Sequence, residues 1–259
     1  MSLIYRATIL ALSGFLFLFV IIPLLGVVAR VGSLNVLEAL KRPELLSSIT
    51  LSLETATVST TICALTGIPL GYVISRTAPK LSALLRIVMA IPLTIPPLID
   101  GALLLNVYGA ASLFGRAGFV LTQNPVGIVL AQTFVASPFV VLTAASAFER
   151  LDPNYEYVSR TLGKGPGQTF LKVTLPLTKT GIAPGIVLAW VRSLGEFGAT
   201  VMMAYNPKTV SIQLWEDNAI GGMAMMLPGV FLVLIVSCSA LGLWFWLSGL
   251  QNPRKHWLI

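Results

Sequence analysis

Charge is scarce in this 259-residue sequence: 10% of its residues are Asp, Glu, Lys or Arg, where a soluble domain carries about 25%. Histidine occurs once, at His256, and cysteine twice, at Cys63 and Cys238. The two cysteines lie in separate apolar runs, so they read as small packing residues, and a zinc or iron site has almost no ligands to draw on. No Gly-x4-Gly-Lys-Ser/Thr phosphate loop occurs, which argues against ATP hydrolysis by this chain. No His-Glu-x-x-His or Gly-x-Ser-x-Gly occurs either, and the acids are scattered, so an intramembrane enzyme fits poorly. Low-complexity tracts, internal repeats and a hydrophilic domain are also missing. What the chain has is apolar: 56% of its residues are hydrophobic, and the mean hydropathy is +0.86.

That balance implies lipid as the solvent. A spanning helix needs about 20 mostly apolar residues, and six stretches qualify: 8–29, 50–75, 84–108, 126–148, 181–205 and 224–249. Lipid offers no partner to a free backbone group, and these runs are far too long for barrel strands, so helices are expected. The expected fold class is all-α, a polytopic membrane protein with about six transmembrane helices. The expected layout is a single domain over 1–259. Within it, 1–49 is the first helix and an outer loop, 50–249 is a five-helix core carrying the loop 149–180, and 250–259 is a cytoplasmic tail. Val27 and Ala29 would suit a signal-peptide cleavage site, but the apolar core before them is too long, so a retained helix is expected.

Lys and Arg set the orientation. With the N-terminus inside, the inner segments hold Arg6, Arg76, Lys80, Arg86, Arg150, Arg160, Lys164, Lys172, Lys179, Arg254 and Lys255. The outer segments hold Arg30, Lys41, Arg42, Arg116 and Lys208. The bias puts both termini in the cytoplasm. It also accounts for the net charge of +7 without any nucleic acid.

The longest hydrophilic stretch is the inner loop. Asp152 suits an N-cap and Pro153 a first helical position. Asn154 to Leu162 then reads as a short helix, which Gly163, Gly165, Pro166 and Gly167 stop and turn. A second short helix over 168–173 leads to Leu175-Pro176. The pair makes a compact knob at the membrane face.

Here the sequence resembles a family. Gly163, a nine-residue spacer and Val173-x-Leu175-Pro176 match the E-A-A-x3-G-x9-I-x-L-P motif of ABC importer permeases in register. The E-A-A triplet falls on Tyr157, Val158 and Ser159, a departure, and the glutamate stands one place earlier at Glu156. Glu156-x-x-x-Arg160-Thr161-Leu162-Gly163 is similar to the molybdate and sulfate branch of that family. The resemblance implies an ATPase-coupling role for Glu156 through Gly163 with Leu175 and Pro176. The plain alternative is a generic loop between two spans.

Two further stretches carry charge or helix breaks inside expected spans. Arg192-Ser193-Leu194-Gly195-Glu196-Phe197-Gly198-Ala199-Thr200 resembles the fifth-span signature of molybdate and sulfate/thiosulfate permeases. Arg192 and Glu196 are i and i+4, so they can pair. A charge at the bilayer centre costs about 2.5–3.5 kcal/mol on insertion scales, so neither is expected to face lipid. They either lock packing as an ion pair or take part in an anion path, with Arg192 the better candidate. The other stretch holds Pro92, Pro96, Pro97 and Gly101, which match a P-x3-P-P-x3-G pattern of the same branch. With Gly195 and Gly198 they are candidates for helix breaks or a gate. Asp100 departs from the family pattern; it either pairs with a basic residue such as Arg192 or sits protonated.

Met202, Met203, Met223, Met225 and Met226 flank the last outer loop and read as packing residues, and Trp215 reads as an interfacial anchor. The resemblance implies an oxyanion importer of the type I permease fold that works as a homodimer. Cytoplasmic ATPase subunits would bind ATP and magnesium, an extracytoplasmic binding protein would deliver molybdate, tungstate or sulfate, and this chain would hold no cofactor of its own. Ferric iron, thiamine and phosphonate permeases are the nearer alternatives. An ion-gradient-driven secondary transporter is the alternative of a different class, disfavoured by the lack of a visible inverted repeat.

Overall fold

A computed structural model describes residues 3–31 and 33–250. Arg254, Lys255 and His256, with the rest of the expected tail beyond Leu250, lie outside the described residues.

The described chain is helical: α1 (Leu3–Arg30), α2 (Ser33–Ala39), α3 (Pro43–Arg76), α4 (Pro79–Thr94), α5 (Pro97–Tyr108), α6 (Leu113–Arg116), α7 (Pro125–Glu149), α8 (Asn154–Thr161), α9 (Pro166–Thr169), a π-turn (Phe170–Thr174), α10 (Leu175–Leu194), α11 (Gly198–Met203) and α12 (Val210–Leu250). Among the described residues four helices, α1, α3, α7 and α12, are long and apolar enough to cross a membrane, and α4 with α5 make a fifth crossing if that bent pair is one span. Two of the expected spans differ from simple rods. The stretch 84–108 bends by 109° between α4 and α5, where Pro96 and Pro97 stand at the start of α5. The residue before a proline is pushed towards extended backbone, and Ile95 has φ −102° and ψ 149°. The stretch 181–205 is broken after Leu194, α11 begins at Gly198, and neither piece is among the helices long and apolar enough to cross, so this expected span is not met among the described residues.

The residues group into two compact units. One joins Met1–Ser47 to Gln213–Ser239. In it α1 leaves nearly its whole apolar surface uncovered, Phe15, Phe17 and Phe19 included. A helix that is apolar all round suits a lipid environment. Deeper in this unit, Asp217 is fully buried and takes both Arg42 guanidinium nitrogens, at 2.6 and 2.8 Å. The Gln213 amide donates to the same carboxylate at 2.9 Å. The run called α12 kinks at Gly222, where φ is 62°.

The other unit joins Ser48–Ile212 to Ala240–Ile259 and carries the knob and the residues Asp100, Arg192 and Glu196. Its centre is α7. Asn124 caps this helix by accepting the Gly127 N–H at 3.0 Å, and Pro125 follows at the first turn, where its missing donor costs nothing. Ala131, Ala136, Ala144 and Ala145 are fully buried along it. Small side chains let backbones approach, which is how helices associate where lipid removes the hydrophobic drive. α4, α5, α10 and α11 all pack on α7. α3 turns a face of small polar residues inward: Ser52 accepts the Val210 N–H at 2.8 Å, and Ser59 donates to Ser193 on α10 at 3.1 Å.

Candidate functional site: the knob and the helix breaks

The knob begins at Asp152, whose Oδ1 accepts the Asn154 N–H at 2.9 Å and fixes the turn into α8; the N-cap position itself falls on Pro153, not on Asp152 as expected, and has no side-chain cap bond. α8 ends in a fully bonded stop. The Gly163 N–H donates to the Arg160 carbonyl at 3.0 Å, and the Lys164 N–H reaches the Ser159 carbonyl at 3.2 Å. This pairing needs a left-handed residue at its apex, and Gly163 has φ 83°. A Cβ on Gly163 would meet nothing within 4 Å, so the requirement comes from backbone conformation alone. The helix stops at Thr161, one residue before the expected Leu162, which serves as the C-cap.

The second half of the knob departs from expectation. α9 covers Pro166–Thr169 in place of the expected 168–173. The chain then makes one π-turn over Phe170–Thr174 and enters α10 without a gap. The Leu175 N–H reaches back five residues to the Phe170 carbonyl. The wide turn falls just before Pro176, which has no N–H to continue a regular ladder. Leu175 and Pro176 therefore begin a long helix instead of following a short one.

Packing divides α8 into two faces. Glu156 and Ser159, three residues apart, are buried, while Tyr155, Tyr157, Val158 and Leu162 are exposed. Ser159 shares a 3.0 Å hydrogen bond with Thr169, which closes α8 onto α9. Glu156 makes the densest set of bonds. It accepts from Arg76 Nη2 at 2.8 Å, the Tyr72 hydroxyl at 3.1 Å and the Thr174 hydroxyl at 3.2 Å. Burial alone would push the Glu156 carboxyl up, but the Arg76 guanidinium, with the Tyr72 and Thr174 hydroxyls, holds it below its ordinary value. The bonding stabilises the fold above the ordinary carboxyl pKa and is lost as the pH falls through the lowered value. On the exposed side, a groove of about 410 Å³ is lined by Asp152, Tyr155, Val158, Leu162, Lys164 and Val173. It is an apolar surface with one acid and one base at its edge. Arg160 and Thr161 are exposed on the same short helix.

The charged residues expected inside spans gather at the two helix breaks. Arg192, on the last turn of α10, pairs with Glu196. Glu196 lies in the break, not on a continuous helix, and its other oxygen accepts the Ala199 N–H at 2.8 Å, bonding the first turn of α11. Arg192 is partly exposed and Glu196 is buried. Asp100, one turn into α5, is fully buried, and neither of its oxygens has a hydrogen-bond partner among the described residues. Arg192 thus pairs with Glu196, and Asp100 takes no hydrogen bond from it. Pro92 lies inside α4, Pro96 caps α5, and Gly195 caps α10. Gly101 and Gly198 lie where α5 meets α11. A Cβ on Gly101 would come within 2.8 Å of the Ala199 backbone, and one on Gly198 within 2.9 Å of the Leu98 nitrogen. Their smallness is what lets the two short helices touch.

Arg76 and Tyr72 were missed as site residues by sequence reasoning, which counted Arg76 only as an inner positive charge. Their separation from Glu156 by 80 and 84 positions hides the contact. The usable signal was a buried-looking glutamate that needed a cation from the end of some other helix.

Comparison with known proteins adds the following. The family model described as "Binding-protein-dependent transport system inner membrane component" matches residues 67–255. A Haloferax volcanii protein named "Probable molybdenum ABC transporter permease protein" is 36% identical over 244 residues, covering 92% of this chain and 91% of that one. A molybdate/tungstate transport system permease protein of Pyrococcus furiosus is 37% identical over 217 residues, covering 82% of this chain and 84% of that one. Among solved structures, a bacterial ABC transporter involved in import of the acidic polysaccharide alginate superposes with a TM-score of 0.73. It is 14% identical and covers 97% of this chain and 96% of that one, a likeness of fold.

Proposed function

Because this chain belongs to the family of binding-protein-dependent transport system inner membrane components, we propose that it is the permease subunit of an ATP-driven importer of molybdate or tungstate. The anion class rests on the relatives named for molybdenum and tungstate transport. The observation that carries the coupling is the knob itself: a short helix with a bonded C-terminal stop, a buried polar face and an exposed apolar one. Tyr155, Val158 and Leu162 offer a cytoplasmic ATPase a surface to grip, while the buried face ties the same helix to the bundle.

On this reading two copies of the chain form the pore, with both termini inside. Two ATPase subunits hold ATP and magnesium beneath them, and an extracytoplasmic protein delivers the oxyanion. Closure of the ATPase pair on ATP favours one arrangement of the spans by binding it better. The knob passes that preference to α10, with which it is continuous. The breaks at Pro96 and Gly195 divide the spans into short pieces that can turn separately. Arg192, partly exposed beside Glu196, is the candidate to meet the anion. This chain supplies the path and leaves ATP hydrolysis to its partner.

The test is reconstitution. The chain is placed in proteoliposomes with the ATPase and binding protein of its own genome, and uptake of labelled molybdate is followed. Uptake should require both partners and internal ATP, and unlabelled tungstate should compete better than sulfate. Uptake without the ATPase, driven by an ion gradient, would overturn the proposal. Preference for sulfate would keep the importer and move the substrate.

A further inference from the structure

We propose that Arg76 and Tyr72 on α3 are positioning residues for coupling, and that their bonds to Glu156 carry the knob's displacement to a helix the knob does not join through the chain. The inference rests on the permease reading above and concerns how the knob acts.

The covalent chain connects the knob to only two long helices. Leu151 and Asp152 tie it to α7, and the π-turn runs into α10. α3 ends at Arg76, and four further helices, α4 to α7, separate it from the knob in sequence. Non-covalent bonds must therefore link α3 to the knob's movement. Among the described residues, those bonds converge on one carboxylate. Glu156 takes Arg76 Nη2 on Oε1 at 2.8 Å and the Tyr72 hydroxyl on Oε2 at 3.1 Å. Arg76 Nη1 also donates to the Phe148 carbonyl at 3.2 Å, in the last turn of α7. One guanidinium thus holds α3, α7 and α8 together. An aromatic cluster backs it: Tyr72 lies edge-on to Phe148 at 5.4 Å and to Phe170 at 5.1 Å.

The geometry suits transmission. Arg76 presents donors in a planar fork, so one acceptor at Glu156 and another at Phe148 fix its position along both directions. The Glu156 side chain is buried and that of Arg76 half-buried, so water screens the pair less than a surface bridge. A displaced α8 must drag Arg76 or leave a buried carboxylate without its cation, and the second is the costlier course. The resemblance to known permeases puts Glu156 in a segment that touches an ATPase. The geometry turns its side chain the other way, into the bundle.

The experiment uses the full chain with its ATPase and binding protein in proteoliposomes, and reads ATP hydrolysed per molybdate taken up. Arg76→Ala and Glu156→Gln should each assemble and hydrolyse ATP, with the ATP spent per ion rising about tenfold, the scale of a charged hydrogen bond. The exchange Arg76→Glu with Glu156→Arg should bring the ratio most of the way back. Arg76→Lys should restore it only in part, because an ammonium cannot serve both acceptors in one plane. Tyr72→Phe, which removes one hydroxyl and no charge, should raise the ratio about twofold and covers the case in which the charge variants do not assemble. Assembled single variants with an unchanged ratio, an exchange that rescues nothing, or an unchanged ratio in Tyr72→Phe would each overturn the inference. Absence of uptake by the unaltered complex would instead count against the permease reading.

Discussion

Glu156 and Asp100 are both buried carboxylates in the same compact unit, and their surroundings are opposite. Glu156 has three side-chain donors, one of them a guanidinium. Asp100 has none among the described residues, and the nearby cation Arg192 bonds Glu196 instead. The region around Glu156 is held by polar bonds whose loss leaves a charge uncompensated. The region around Asp100 is held by packing, since α5 and α11 meet at backbone distance across Gly101 and Gly198. The knob should therefore respond to changes of charge, and the breaks to changes of volume.

The largest effect should come from volume at the breaks. Gly101→Leu would drive a side chain into Ala199 and Met202. Overpacking of this kind costs about 1–3 kcal/mol, visible as a lower unfolding temperature of the purified permease in detergent. A Gly101→Leu protein as stable as the parent would show that α5 and α11 are not rigidly apposed. At the knob, Gly163→Ala should cost about 1–2 kcal/mol through its left-handed backbone, while Gly165→Ala, at φ −67°, should cost almost nothing. Neither position has an atom within 4 Å of a new Cβ, so the difference isolates conformation from crowding. Equal losses in a melting assay would remove the left-handed stop from the explanation. The smallest effect should come from Asp100→Asn. It removes a buried charge without breaking a hydrogen bond, so stability should stay level or rise. A marked loss would mean that Asp100 is engaged as an ion, and the contrast with Glu156 would close.

Several features of the knob were legible because they are local. Gly163, the proline-glycine turn and Leu175-Pro176 each constrain the few residues around them, and the turn at Asp152 follows from its own neighbours. The helix limits moved by only a residue or two, except where Pro176 forced a π-turn that makes the second half continuous with α10. At the breaks, proline and glycine marked where the helices stop. The 109° turn they produce there was not legible. Nor was the choice of Glu196 over Asp100 by Arg192, because spacing along a helix allowed one pair and the fold had to settle the other.

By itself the sequence determined a lipid-embedded bundle of helices, a polar knob between two of them and the positions of the breaks, because hydropathy, local turns and proline act over a turn or two of chain. Tertiary structure alone decided which helices the knob grips. Arg76 and Tyr72 reach Glu156 across 80 and 84 residues, and a carboxylate leaving water takes whichever donors packing brings to it.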